Sequence, residues 1–250
     1  MRWIAPLTAL LAWELVTRAA ASPFFPPPTR IIARMYELWF SGPPARLFLT
    51  PEAVGNILPS LGRMGLGLGL AAVAGVGLGV ALGRSPRAYA YLDPMLQFAR
   101  AIPPPTLVPV FVVLFSIGTQ MQVASITFSV IWPILLNSAD GARSVDPLKL
   151  ETAAAFRFSA WDRVAHVVLP SALPKIFAGL RLSLSLGLIL MVFSELLPGT
   201  ADGIGFQLVD ATSRSDLPTM WAAIALLGIL GYVLNAALLA VERRVLRASA

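Results

Sequence analysis

Six long apolar runs dominate the chain: Ile4–Ala21, Leu58–Leu82, Met95–Ile117, Met121–Ala139, Ala172–Leu197 and Leu217–Val241. Each approaches or exceeds the ~20 residues a helix needs to cross a bilayer. They predict an all-α membrane protein of about six transmembrane helices, with residues 1–250 forming one membrane domain. Between the first two runs, the Pro-rich residues 22–57 are too polar to span. Within them Thr29–Phe40 reads as a short amphipathic helix lying on the membrane surface, with Ile31, Met35, Leu38 and Trp39 on one side.

The first run also resembles a signal peptide, with Arg2 ahead of it and Ala19-Ala20-Ala21 as a cleavage site. Glu14 and Arg18 interrupt its far half, where a signal peptide stays apolar, so the run is read as a retained span. Six spans put both termini on one side. That side then holds Arg2, Arg84, Arg87, Arg143, Lys149, Arg157, Arg163, Lys175, Arg243, Arg244 and Arg247. The other holds Arg18, Arg30, Arg34, Arg46, Arg63 and Arg214. The positive-inside rule places both termini in the cytoplasm and residues 22–57 outside.

Residues 146–170, between the fourth and fifth runs, form a charged island on the cytoplasmic side. Asp146-Pro147 is an N-cap followed by Pro at the first helical position, so a helix starts at Pro147 and runs through Glu151. Ser159 with Asp162 forms a capping-box start for a second helix, which Pro170 is expected to stop or bend. In the first helix Leu150, Ala153, Ala154 and Arg157 share a mostly small face. A partner could approach that face closely, or it could rest on the chain's own spans; periodicity leaves both open.

Composition narrows the function classes. Apolar residues make up 57% and charged residues 13% of the chain, against roughly 45–50% and ~25% in soluble domains. With no Cys and one His, thiolate catalysis, disulfide frameworks and Cys- or His-rich metal sites are excluded. The net charge of +6 comes from basic residues scattered singly between apolar runs, which argues against nucleic-acid binding. The glycine series from Gly62 to Gly83 has no Walker A ending and no GxGxxG spacing; Gly65/Gly69, Gly75/Gly79 and Gly79/Gly83 read as helix-packing faces. Ionisable residues and prolines inside spans are candidates for a path: Arg100, Arg181, Glu195, Pro103-Pro104-Pro105, Pro109 and Pro133. His166 reads as a surface residue.

Glu151-Thr152-Ala153, Ser159-x-Trp161, Val168-Leu169-Pro170 and Ala172-Leu173-Pro174 resemble the EAA signature of permease subunits of bacterial ATP-binding-cassette importers. The likeness is to the nitrate, sulfonate and taurine branch. It extends through Trp13-Glu14-Leu15, Arg100-Ala-Ile-Pro103, Val108-Pro109, Trp132-Pro133-Ile134, Val145-Asp146-Pro147, Gly179-Leu180-Arg181, Ser194-Glu195 and Asp202-Gly203-Ile204-Gly205. The resemblance implies a type I importer permease fold in the inner membrane, with coupling helices at 146–170 docking on a cytoplasmic ATPase. Glu151, Thr152, Ala153, Ala154, Arg157 and Ser159 would carry that coupling. Glu151 would pair with a basic group or brace the helix pair, and Ala153 would sit at the contact. Two positions depart from the family pattern: Thr152 stands where Ala is usual, and Arg157 where Gly serves a turn with positive φ.

The resemblance further implies ATP and Mg bound by the partner subunit, with no cofactor in this chain. It implies an extracytoplasmic binding protein and a second copy of this chain as partners, within membrane lipid. The substrate class is a small anion such as nitrate, a sulfonate or taurine, although look-alikes carry pyrimidine precursors, riboflavin and aromatic acids. Two readings compete with the importer. An ion-driven secondary transporter usually carries inverted repeats and paired intramembrane carboxylates. A membrane scaffold would have no use for a capped cytoplasmic helix pair.

Overall fold

The computed structural model describes residues 4–22 and 24–248, so Arg2 and the carboxyl terminus lie outside the described residues. Every regular element in this range is helical. In chain order they are α1 (Ile4–Ala20), α2 (Pro28–Met35), α3 (Leu58–Gly83), α4 (Pro86–Ala101), α5 (Val108–Phe115) and α6 (Thr119–Arg143). Then follow α7 (Pro147–Ala155), α8 (Ala160–Arg163), α9 (Leu169–Glu195), α10 (Ile204–Ser213) and α11 (Leu217–Ala248). Wide π turns at Tyr36–Phe40, Ala53–Ile57 and Val164–Val168 adjoin α2, α3 and α9.

Four stretches are long and apolar enough to cross a membrane: Ala53–Gly83, Thr119–Arg143, Ala160–Glu195 and Leu217–Arg247. A bent pair, Pro86–Ala101 with Pro104–Phe115, makes a fifth if counted as one span. Six were expected. The run at Ile4–Ala21 forms α1, a helix of 17 residues. The run at Met95–Ile117 departs most from expectation: instead of a straight span it bends by 84°. The cause is local. Pro103, Pro104 and Pro105 remove three consecutive donors, and each disfavours the helical region in the residue before it. Ile102 and Pro103 are accordingly extended, at ψ 121° and 118°. A 3₁₀ turn over Pro104–Leu107 then leads into α5.

Pro170 does not stop its helix, the first of the two outcomes expected for it. Ala160–Glu195 is one helical run of 36 residues. A π turn over Val164–Val168 widens the ladder just before Pro170, inside this continuous run.

The described chain divides into two compact units. One comprises residues 1–62 and 192–231, the other residues 63–191 and 232–250. In the first unit, Ile31, Met35 and Trp39 recur at i, i+4 and i+8 and are all buried, with Leu38 partly so. The Trp39 indole donates to Gln207 Oε1 at 3.2 Å. Trp221 packs edge-on against Trp13 and donates to the Phe24 carbonyl at 3.0 Å.

In the second unit α6 is the central helix, touched by the glycine faces of two others. A Cβ placed on Gly79 or Gly83 of α3 would come within 2.4 Å of the Leu135 or Ala139 carbonyl oxygen. On α9, a Cβ at Gly179 would lie 2.7 Å from the Pro133 carbonyl oxygen. These contacts are the close backbone approach that small residues permit in membranes. Gly65 and Gly69 have nothing within 4 Å.

Candidate functional site

The island between α6 and α9 is built by local signals. Asp146 accepts the Leu148 N–H at 2.9 Å with Pro147 at the first helical position, so α7 starts where the chain can satisfy it. The helix ends on Arg157 at φ +58°, with Arg157 N–H bonded to Ala154 O (2.9 Å) and Phe158 N–H to Ala153 O (3.0 Å). That pair of bonds is the Schellman closure of a helix, whose left-handed position favours glycine. Arg157 holds the glycine conformation without being one, at a cost of about 1 kcal/mol. Ser159 then opens α8: its hydroxyl accepts the Asp162 N–H (3.1 Å), and the Asp162 carboxylate accepts the Ser159 N–H (3.3 Å).

The structure brings Glu151, Thr152, Ala153, Ala154, Arg157 and Ser159 together in this one helix, turn and helix, and it divides the face that periodicity left open. Ala153 is only 4% exposed, and Leu150 packs on the buried cluster of Val80, Ala142, Val145 and Val168. The small face is therefore split: Leu150 and Ala153 rest on the chain's own helices, while Ala154 and Arg157 are exposed. Leu148, Glu151, Thr152 and Phe156 are also turned to solvent, as is Trp161 on α8. Thr152 is tied down by a bond from its hydroxyl to Leu148 O at 2.8 Å. His166 is exposed, with Nδ1 3.1 Å from the Asp162 carbonyl.

The candidate path residues are dispersed. Arg100 ends α4, exposed, and Pro103 and Pro109 flank the bend that follows. Arg181 is paired with Glu242 at 2.5 Å. Glu195, the last residue of α9, is 1% exposed and belongs to the other unit.

Glu195 forms a knot. Its carboxylate accepts the Ser60 hydroxyl (2.8 Å to each oxygen) and the Gly205 N–H (3.0 Å). The neighbouring N–H groups at the start of α10 are also captured: Ile204 donates to Ser60 Oγ (2.9 Å) and Gly203 to Asn56 Oδ1 (3.0 Å). Gly203, at φ +121°, leaves no room for a side chain, since a Cβ there would lie 2.4 Å from Glu195 Cδ. A carboxylate at a helix N-terminus is favourably placed with respect to the dipole. Sequence reasoning singled out Glu195 but assigned no role to Asn56, Ser60, Gly203 or Gly205. The Gly-x-Gly spacing eight residues after Glu195 was the available signal.

These features define a class: an all-helical multi-pass membrane protein whose capped helix pair joins two membrane-length helices. The chain belongs to the family of binding-protein-dependent transport system inner membrane components, whose model matches residues 71–247. It is 31% identical over 244 residues to the taurine transport system permease protein TauC of Escherichia coli (strain K12), covering 96% of this chain and 87% of that protein. It is 28% identical over 244 residues to the putative aliphatic sulfonates transport permease protein SsuC of Bacillus subtilis (strain 168), covering 97% and 85%. Among solved structures, an inward-facing conformation of the MetNI methionine ABC transporter shares the fold. Its TM-score is 0.63 at 20% identity, over 78% of this chain and 94% of that one. The protein is thus a permease subunit of an ATP-binding-cassette importer, resident in the cytoplasmic membrane, and it is not an enzyme. Its partners are an ATPase and a binding protein.

Proposed function

We propose that this chain supplies half of the membrane path of an importer for small anions, pairing with a second copy of itself. In this reading α7 and α8 are the lever on which the cytoplasmic ATPase pushes. The observation that carries the lever is the helix pair itself. It is capped at Asp146 and Ser159, largely exposed, and its second member, α8, runs on into α9 as one helix of 36 residues. A push on α8 would therefore pass directly into α9. Both termini lie in the cytoplasm in this reading, and Glu151, Thr152, Ala154, Arg157 and Ser159 frame the contact. Ala153 acts as the small packing residue beneath them.

The anion class is supported by the names of relatives, which specify sulfonates, taurine, nitrate and bicarbonate. All of these are, or carry, a compact oxyanion. ATP and Mg are held by the ATPase. The test is uptake of labelled taurine, an alkanesulfonate, nitrate and bicarbonate into proteoliposomes containing permease, ATPase and binding protein. Uptake of at least one that requires ATP and survives an ionophore supports the proposal. Collapse of uptake by the ionophore at constant ATP overturns it.

A further inference from the structure

We propose that the turn at Leu47-Phe48, with one side of the helix from Ile32 to Phe40, is an anchor seated in the phospholipid interface beside the start of α3. The sequence marked Ile31, Met35, Leu38 and Trp39 as the side that would lie on a membrane, but the structure turns that side onto protein. Ile31, Met35 and Trp39 are buried, and the Trp39 indole is bonded to Gln207. A second apolar stripe, one position on and so ~100° round the helix, is left outward. Ile32 is 64% exposed, Tyr36 60% and Phe40 40%.

The chain after Phe40 adds to this outward apolar area. Gly42 N–H donates to Phe48 O (2.9 Å) and Thr50 N–H to Trp39 O (3.2 Å), so residues 42–50 fold back on the end of the helix. The fold-back is tight: a Cβ on Gly42 would lie 2.1 Å from Leu49 O. At its tip Leu47 and Phe48 both hold left-handed backbone, at φ +53° and +64°, with their N–H groups bonded to Pro44 O and Pro43 O. That conformation is strained for bulky side chains and persists only where the surroundings fix it. The tip nonetheless displays Leu47 at 82% and Phe48 at 57% exposure. Large apolar groups held outward on a bonded, strained turn mark an interaction site.

Position names the occupant. Phe48 is five residues from Ala53, where the membrane-length stretch Ala53–Gly83 begins, so chain length alone holds the tip within about 18 Å of that point. Val54 and Leu58, at the start of this stretch, are exposed apolar residues too, the lipid-facing beginning of a span. Arg46, exposed immediately before the tip, supplies a guanidinium for a lipid phosphate, and no acidic residue lies between Glu37 and Glu52 to repel that phosphate. Tyr36 has the amphipathic ring that is enriched at membrane interfaces. A convex tip of two side chains suits the headgroup boundary, where amphipathic segments seat ~5–10 Å deep. The anchor needs only a bilayer, so it stands apart from the transport reading and from which leaflet the segment meets.

The test places one fluorophore at the tip of the full-length permease in nanodiscs of phosphatidylethanolamine and phosphatidylglycerol. The chain has no Cys, so Leu47→Cys and Phe48→Cys each accept a single nitrobenzoxadiazole label. At a depth of ~5–10 Å, lipid carrying a nitroxide high on its acyl chain removes at least about half of the emission, while aqueous iodide removes little. Quenching by iodide with no response to the nitroxide lipid overturns the anchor. So does a hydrated label that becomes shielded only when the extracytoplasmic binding protein is added, because it assigns the tip to that protein. The unsubstituted chain gives an independent reading that needs no variant to fold. It is irradiated with a phosphatidylethanolamine that carries a carbene precursor near its headgroup, and the adducts are located by mass spectrometry. Adducts on Leu47 or Phe48 support the anchor, and adducts confined to the spanning helices overturn it.

Discussion

Two residues show most directly how local strain and local satisfaction shape this protein. Arg157 occupies a left-handed position at the end of α7. Arg157→Gly should therefore raise stability by about 1 kcal/mol, and Arg157→Val should lower it, as read by thermal unfolding in detergent. Glu195 is the opposite case, a buried carboxylate with its donors in place. Gly203→Ala forces a methyl onto that carboxylate at a backbone angle alanine resists, and should cost about 2 kcal/mol or more. Glu195→Ala leaves the Ser60 hydroxyl and the Gly205 N–H without their acceptor, at ~1–3 kcal/mol each. Ala153 is a packing residue and not a probe of docking. Being buried, its replacement by Asp would disrupt the helix pair itself, whereas exposed Glu151→Lys should abolish uptake and leave membrane insertion intact.

At the scale of elements, close helix approach and one polar clasp give separable predictions. Gly79→Val should destabilise the α3–α6 contact by about 2 kcal/mol through a clash with backbone. Gly65→Ala, which meets nothing within 4 Å, should be neutral or stabilising, with unfolding temperature as the measure. The start of α11 depends on Asp216. It accepts the Thr219 N–H (3.2 Å) and hydroxyl (2.6 Å) and pairs with Arg34 (2.9 Å). Burial pushes the Asp216 carboxyl up, but the Thr219 bonds and the Arg34 guanidinium outweigh it and hold the group below its ordinary value of 3.8. With the folded value depressed, the clasp contributes fully above that pH and is lost as pH falls through the folded value. Asp216→Asn should flatten this acid limb of the unfolding curve.

Much of this scale was legible in the residues. The caps at Asp146 and Ser159 are sequence-local rules, so they could be read directly, and the buried stripe of Ile31, Met35 and Trp39 follows from period. The proline triplet announced a break, but not its 84° angle. Pro170 left two outcomes open, stop or bend, and the π turn that precedes it is not revealed by any propensity. The face of α7 was undecidable for a similar reason: a stripe of alanines suits a partner and the chain's own core equally well.

At the scale of the whole molecule, family membership could be read from the chain, whereas of the six expected spans four are long and apolar enough, or five with the bent pair. The surroundings of Glu195 could not be read, because Ser60 donates to it from 135 residues away and Asn56 accepts from Gly203 across 147 residues, and only the fold joins them. The central claim is that the helix pair at 146–170 faces the cytoplasm and meets the ATPase. The measurement that tests it most directly is labelling of a cysteine at Glu151 by a membrane-impermeant maleimide. The account predicts reaction in inverted vesicles but not in right-side-out ones, and protection in inverted vesicles once the ATPase is bound. Labelling from the outer face, or labelling the ATPase leaves unchanged, would contradict it.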